Sequence, residues 1–339
     1  MKKFFVFLIS LVLLFPQNIA VAQLQSESLV IIDTALDSDQ PDFAANIEYE
    51  VCILDWSSCP NGQKFMEGKG SAYLSPKYIS DNGFNHGSQM VSAALRTNPN
   101  LQIIFIRIVG NSETGSRLNV TPLAVAKALK WVYDNKEKFN IAAVSMSQGH
   151  HNLTTRTIYC PSENMVETMI DQLLDKGVPF FVAAGNSRDY ERLDWPACYP
   201  STVSIGALEK NGQIASYGNL DPKLIDYFEI GDTQVTDWDG KEKSAVGTSI
   251  STQIAAAKWL KLKSFYPELT NNELFEKLNN SAIMVKSSKI QNGRAFPSMI
   301  QSPEDELTIQ SNLDELSQIR DEINRLFDLV KQLIYLIRK

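Results

Sequence analysis

The sequence predicts an α/β protein, a doubly wound and mostly parallel sheet followed by an α-helical, coiled-coil-like tail. Three patterns carry this expectation. Short apolar runs recur along the chain, helical patterns lie between them, and residues 302–339 keep a seven-residue apolar repeat. Strands alternating with helices wind into a sheet covered on both faces, and ligands of such sheets sit beyond the carboxyl ends of the strands.

Residues 1–22 read as a cleavable export segment. Lys2 and Lys3 precede an apolar run from Phe4 to Phe15, Pro16 breaks it, and Ala20-Val21-Ala22 supplies the small-residue cleavage pattern. The run falls short of the roughly 20 residues an uncleaved anchor needs, so a periplasmic or secreted location is expected. SLVIID, Ser28 to Asp33, is an apolar run closed by an acid, as a buried parallel strand would be. LQIIFIRIV from Leu101, IAAVSMS from Ile141, VPFFVAA from Val178 and TVSIGAL from Thr202 read the same way. Thr121-Pro122 opens a helix with a cap and a first-turn proline, and Gly177 closes another after MVETMIDQLLDK. AVGTSISTQIAAA, Ala245 to Ala257, bends through Val-Gly-Thr into a third. The α/β domain is expected over 23–284 and a polar, proline-containing linker over 285–301.

The tail helix starts at Ser302 and Pro303, followed by the acids Glu304, Asp305 and Glu306. Ile309, Leu316, Ile323, Val330 and Ile337 fall at one seam position, with Asn312, Ile319, Leu326 and Leu333 at the other. That spacing predicts a homo-oligomer. Phe327, Leu329, Ile334 and Leu336 widen the strip beyond what a dimer covers; folding back on the domain and adsorption to a membrane surface are the alternatives.

A chain of 339 residues with 44% hydrophobic content shows no sign of disorder. Loss of Lys2 and Lys3 takes the formal charge from -7 to -9, and no basic cluster offsets it, so no nucleic-acid partner is expected. Four cysteines in an exported chain predict disulfides. Proximity favours Cys52 with Cys59 and leaves Cys160 with Cys198, one of the three possible connectivities. Neither the cysteine spacing nor the histidines match a zinc pattern.

Four residues carry candidate chemistry. Asp33 ends the first strand, with Thr34 placed to fix its turn. His86, in NHGSQMVSAAL, sits before a glycine where a helix begins, and is one of only three histidines. Ser249 follows Gly-Thr at the start of the third helix, where glycine lets a substrate backbone approach. Asn186 follows a strand ending at Gly185, where its amide could donate to a developing oxyanion. Each alone is ordinary cap or turn chemistry. Together, in the order Asp, His, Ser, they resemble the subtilisin-like serine proteases.

VIIDTALDSDQPDF resembles that family's aspartate motif, NHGSQMVSAAL its histidine motif and AVGTSISTQIAAA its serine motif. VSMSQG is similar to its substrate-binding strand and FFVAAGNS to its oxyanion segment; ACYPSTVSIGAL, IASYGN and YPELTNNELFEKLNNSA are further landmarks. The resemblance runs from about Ser28 to Ala282. It implies a subtilisin-like fold, an Asp33-His86-Ser249 triad, Asn186 at the oxyanion, and Ser147, Gln148 and Gly149 pairing with an extended protein or peptide substrate. Ala35 replaces a common glycine, Gln89 a second histidine, Gln253 a helix proline and Ile250 a methionine. Residues Arg96 to Leu101 are too short for the family's calcium loop, so no cofactor is expected there, while Asp42 and other acids could form a different calcium site. The short stretch between the cleavage site and the first strand leaves no room for a folding-assisting propeptide. The competing reading is a catalytically weak subtilase-fold module for binding or assembly, oligomerised by its tail.

Overall fold

The protein was analysed as a computed structural model that describes residues 27–79, 83–150, 160, 164–287, 294–299 and the single positions 320 and 325. The expected export segment, and the tail helix apart from Arg320 and Arg325, lie outside the described residues.

In chain order the first half holds β1 (Ser28–Asp33), β2 (Ile47–Ile53), β3 (Phe65–Glu67), α1 (Pro76–Ile79), α2 (His86–Thr97), β4 (Gln102–Arg107), α3 (Pro122–Asn135) and β5 (Ile141–Met146). There follow α4 (Met165–Asp175), β6 (Phe180–Ala183), β7 (Val203–Leu208), β8 (Tyr227–Ile230), β9 (Asp232–Thr236), β10 (Glu242–Val246), α5 (Thr248–Phe265), α6 (Asn271–Ser281), β11 (Ile283–Lys286) and β12 (Ala295–Ser298). One sheet runs β11-β12-β8-β7-β6-β5-β1-β4-β2-β3, parallel except at its two edge pairs. The remaining strands, β9 and β10, form a separate hairpin that leads straight into α5.

β1 lies at the centre, between β4 and β5, and its alternation divides the core. Val30 and Ile32 face the cluster that includes Val125, Leu129 and Ile170 of α3 and α4. Leu29 and Ile31 face the one that includes Val91, Ala255 and Trp259 of α2 and α5. Burial on both faces explains the unbroken apolar strands of the sequence. The helix ends follow their sequence signals: the Thr121 hydroxyl accepts from the Ala124 amide at the start of α3, and Thr270 with Glu273 closes a capping box on α6.

Within the expected linker, 285–301, Val285 in β11 and Phe296 in β12 are buried, and β12 joins the main sheet beside β8, so these two strands belong to the sheet. Phe296 and Ser298 bury while Ala295 and Pro297 stay partly exposed, and a proline in a strand so short hides the pattern. No helix among the described residues is long and apolar enough to cross a membrane.

Candidate active site

Asp33 stands at the carboxyl end of β1, where it is wholly buried. The Thr34 amide donates to Asp33 Oδ1 at 2.7 Å, while the Thr34 hydroxyl donates to the Phe84 carbonyl and accepts from the Gly87 amide. One side chain thereby ties the strand end to the start of α2. Gly87 is required by that close approach, since a Cβ there would run into the Ala35 carbonyl and the Phe105 ring.

His86, first residue of α2 and part-exposed, has Nδ1 2.8 Å from Asp33 Oδ1. Gln148 Nε2 donates to the same oxygen at 2.9 Å and lies 3.0 Å from His86 Nδ1. Burial pushes the Asp33 carboxyl up, but the His86 charge and the hydrogen bonds from His86, Gln148 and Thr34 outweigh it and hold the pKa below its ordinary value. The aspartate therefore stays ionised and orients the imidazole.

Ser249 stands at the second position of α5, part-exposed. The turn before it needs glycine: Gly247 has φ 152°, and a Cβ would crowd Asn186 Nδ2 at 3.4 Å. Among the described residues, Ser249 Oγ donates to the Ser147 carbonyl at 3.4 Å and makes no hydrogen bond to His86.

Asn186 is exposed beside this helix start. Its Oδ1 accepts from the Thr248 amide at 3.0 Å and from the Thr248 hydroxyl at 3.1 Å. Two donors on one end fix the amide's orientation, leaving Nδ2 as a free donor. Ser147 Oγ donates to the Ser249 carbonyl at 2.9 Å and accepts from Gln253 Nε2, also at 2.9 Å. Gln253 Oε1 in turn accepts from Ser145 Oγ at 2.8 Å. The residue in the proline position is thus a fully buried bridge between β5 and α5. Gly149 packs against the Trp195 carbonyl, and a Cβ would collide with it.

Two further groups were not singled out from the sequence. Asp237, between β9 and β10, accepts from Asn85 Nδ2 at 3.0 Å and from Gln89 Nε2 at 3.4 Å, so the hairpin entering α5 is pinned to the start of α2. Arg117 donates through Nη2 to Gln148 Oε1. The acids Asp189 and Asp194 beside the oxyanion segment have partners of their own, Arg192 and Asn219. Asp42 lines a pocket of about 250 Å³ with Arg96, and among the described residues no three His, Cys, Asp or Glu side chains are placed to hold a metal ion. Disulfides join Cys52 to Cys59 and Cys160 to Cys198, each with Cα atoms 5.9 Å apart.

Asp33 paired with His86 at the carboxyl end of β1, and Ser249 at the start of α5 against the Ser147 carbonyl, are the residue types, in chain order, that one class of serine-triad hydrolases uses. The chain belongs to the subtilase family, Peptidase S8, whose pattern it matches over residues 25–312. It is 24% identical over 251 residues to a thermostable alkaline protease of Halalkalibacterium halodurans, covering 71% of this chain and 63% of the relative. It is 23% identical over 272 residues to a subtilisin of Bacillus pumilus, covering 77% and 85%. The chain thus spans less than two thirds of the first of these relatives. A cold-adapted subtilisin-like serine proteinase shares the fold at a TM-score of 0.58 and 20% identity, over 81% of this chain and 88% of that one.

Proposed function

We propose that the chain is an exported serine endopeptidase that cleaves peptide bonds through an acyl-enzyme. The observation that carries this reading is the 2.8 Å Asp33–His86 contact beside a helix start that presents Ser249 and a pre-oriented Asn186 amide. His86 takes the Ser249 proton as Oγ attacks the scissile carbonyl, and Asp33 stabilises the imidazolium. Asn186 Nδ2 and the Ser249 amide receive the oxyanion. Collapse of the tetrahedral intermediate expels the amine, protonated by His86, and water then repeats the sequence on the ester. Ser147, Gln148 and Gly149 pair with the substrate main chain as an added strand.

A fluorophosphonate tests the proposal directly. It should label Ser249 in folded full-length protein, with no adduct in Ser249→Ala and almost none in His86→Ala. An unlabelled parent that is demonstrably folded would favour the binding module instead.

Export is supported by the leader pattern of residues 1–22 and by two disulfides, which persist in oxidising compartments. Self-association through residues 302–339 rests on their heptad pattern. Light scattering on Ser249→Ala protein with and without that segment tests it, a monomer in both forms rejecting the coiled coil.

A further inference from the structure

Arg117 belongs to a loop that the fold closes tightly. The Leu118 amide donates to the Gly110 carbonyl at 2.9 Å, the Ser112 amide to the Ser116 carbonyl at 2.8 Å, and Asn111 bridges Arg117 as a short antiparallel pair. Gly115 packs against the Tyr78 ring so closely that a Cβ there would overlap it. A loop held this way presents its side chains in a defined direction.

The direction of Arg117 is toward the reacting centre. Its guanidinium donates to Gln148 Oε1, and the other end of that amide donates to Asp33 and touches His86. A cation on the oxygen side and a carboxylate on the nitrogen side fix the orientation of the Gln148 amide. Partial desolvation lowers the Arg117 pKa from the ordinary guanidinium value, and the charge of Asp33 acts in the opposite direction. Yet Arg117 is exposed, it makes no ion pair with a carboxylate among the described residues, and no described hydrogen bond uses its Nε or Nη1. The site therefore carries a cation with donors to spare.

Gln148 is the middle residue of the segment proposed to pair with substrate. On that reading a peptide lying along Ser147, Gln148 and Gly149 would pass beside the Gln148 amide that Arg117 holds. We propose that Arg117 is a specificity-determining residue that selects an acidic side chain within the three substrate residues preceding the cleaved bond. This rests on the peptidase reading above. A carboxylate there would take the unused guanidinium donors, while a lysine or arginine would meet like charge. Of the acids near the oxyanion segment, Asp189 and Asp194 are paired internally.

Digestion of an oligopeptide library by the full-length protein, with cleavage sites read by mass spectrometry, should show Asp and Glu enriched at one of those three positions. Matched Glu and Gln peptides should then differ in kcat/KM by about fivefold, the upper range for an exposed ion pair. The ratio should shrink in 0.5 M salt, fall near unity in Arg117→Gln, and turn toward Lys in Arg117→Glu. An equal loss on all peptides with an unchanged ratio would make Arg117 a positioning residue for Gln148 and Asp33, and would overturn the proposal. Cleavage with no acidic preference in the parent overturns it too, leaving the peptidase reading intact. No cleavage together with no fluorophosphonate adduct on Ser249 removes both.

Discussion

Asn186 is gripped by its oxygen, and that grip decides what its nitrogen can do. With the Thr248 amide and hydroxyl both donating to Oδ1, Nδ2 needs no reorganisation when negative charge develops on the substrate oxygen. Asn186→Ala should lower kcat by about 10²–10³, the loss known for the oxyanion asparagine of subtilisin itself, while KM changes little. Steady-state kinetics on one peptide checks this, and a matching rise in KM with kcat retained would make Asn186 a ground-state contact. Asp33, His86, Asn186 and Ser249, the residues of the proposed site, stood out in the sequence because each lies at a strand or helix end, which a nearby glycine marks for all but Asp33. Gln148 and Arg117 were not legible in the same way. Gln148 read as a main-chain contact, yet its side chain reaches the Asp33–His86 pair. Arg117 lies in a loop whose closure alone brings it there, and nothing in local spacing encodes that closure.

The alternation of apolar runs and helical patterns revealed the buried centre of the sheet, but it failed at the edges. β2 carries Glu48 and Glu50, which make it look polar. Glu50 is nevertheless buried, its carboxylate accepting from the Gly70 and Ala72 amides at 2.9 and 3.1 Å, and such long-range satisfaction of a charge has no sequence signature. β12 was hidden in the same way by Pro297. α5 shows the opposite case, a sequence departure whose role appears only in three dimensions. Gln253 keeps the backbone N–H that proline lacks and spends its amide on Ser145 and Ser147, so it locks the end of β5 to α5. Gln253→Leu would remove one hydrogen bond from each of the buried Ser145 and Ser147 hydroxyls, which keep the Val30 and Ser249 carbonyls, and should lower the unfolding free energy by about 1–3 kcal/mol. Denaturant melts of the two proteins decide the matter; equal midpoints would mean that the hydroxyls find other partners.

Across the whole molecule the two disulfides do different work. Cys52–Cys59 spans a separation of 7 residues and sits with Leu54 and Met66 in a small cluster at the β2–β3 edge of the sheet. Cys160–Cys198 spans 38 residues, and Cys198 follows the Trp195 segment whose carbonyl accepts from the His150 amide at 3.2 Å and packs on Gly149. A longer closed loop restricts the unfolded chain more. By chain entropy, removing the long bridge costs about 4 kcal/mol and the short one about 2 kcal/mol. The long bridge also lies near the Trp195 segment on which Gly149 and His150, of the proposed substrate strand, rest, whereas the short one lies at the far edge of the sheet. Replacing Cys160 and Cys198 by serine should therefore lower both the melting temperature and kcat/KM, while replacing Cys52 and Cys59 should lower the melting temperature less and leave kcat/KM close to the parent's. Thermal melts and kinetics on the two double variants, after non-reduced peptide mapping of the parent, make the comparison. Equal effects on activity would show that the Trp195 segment holds its place without the bridge.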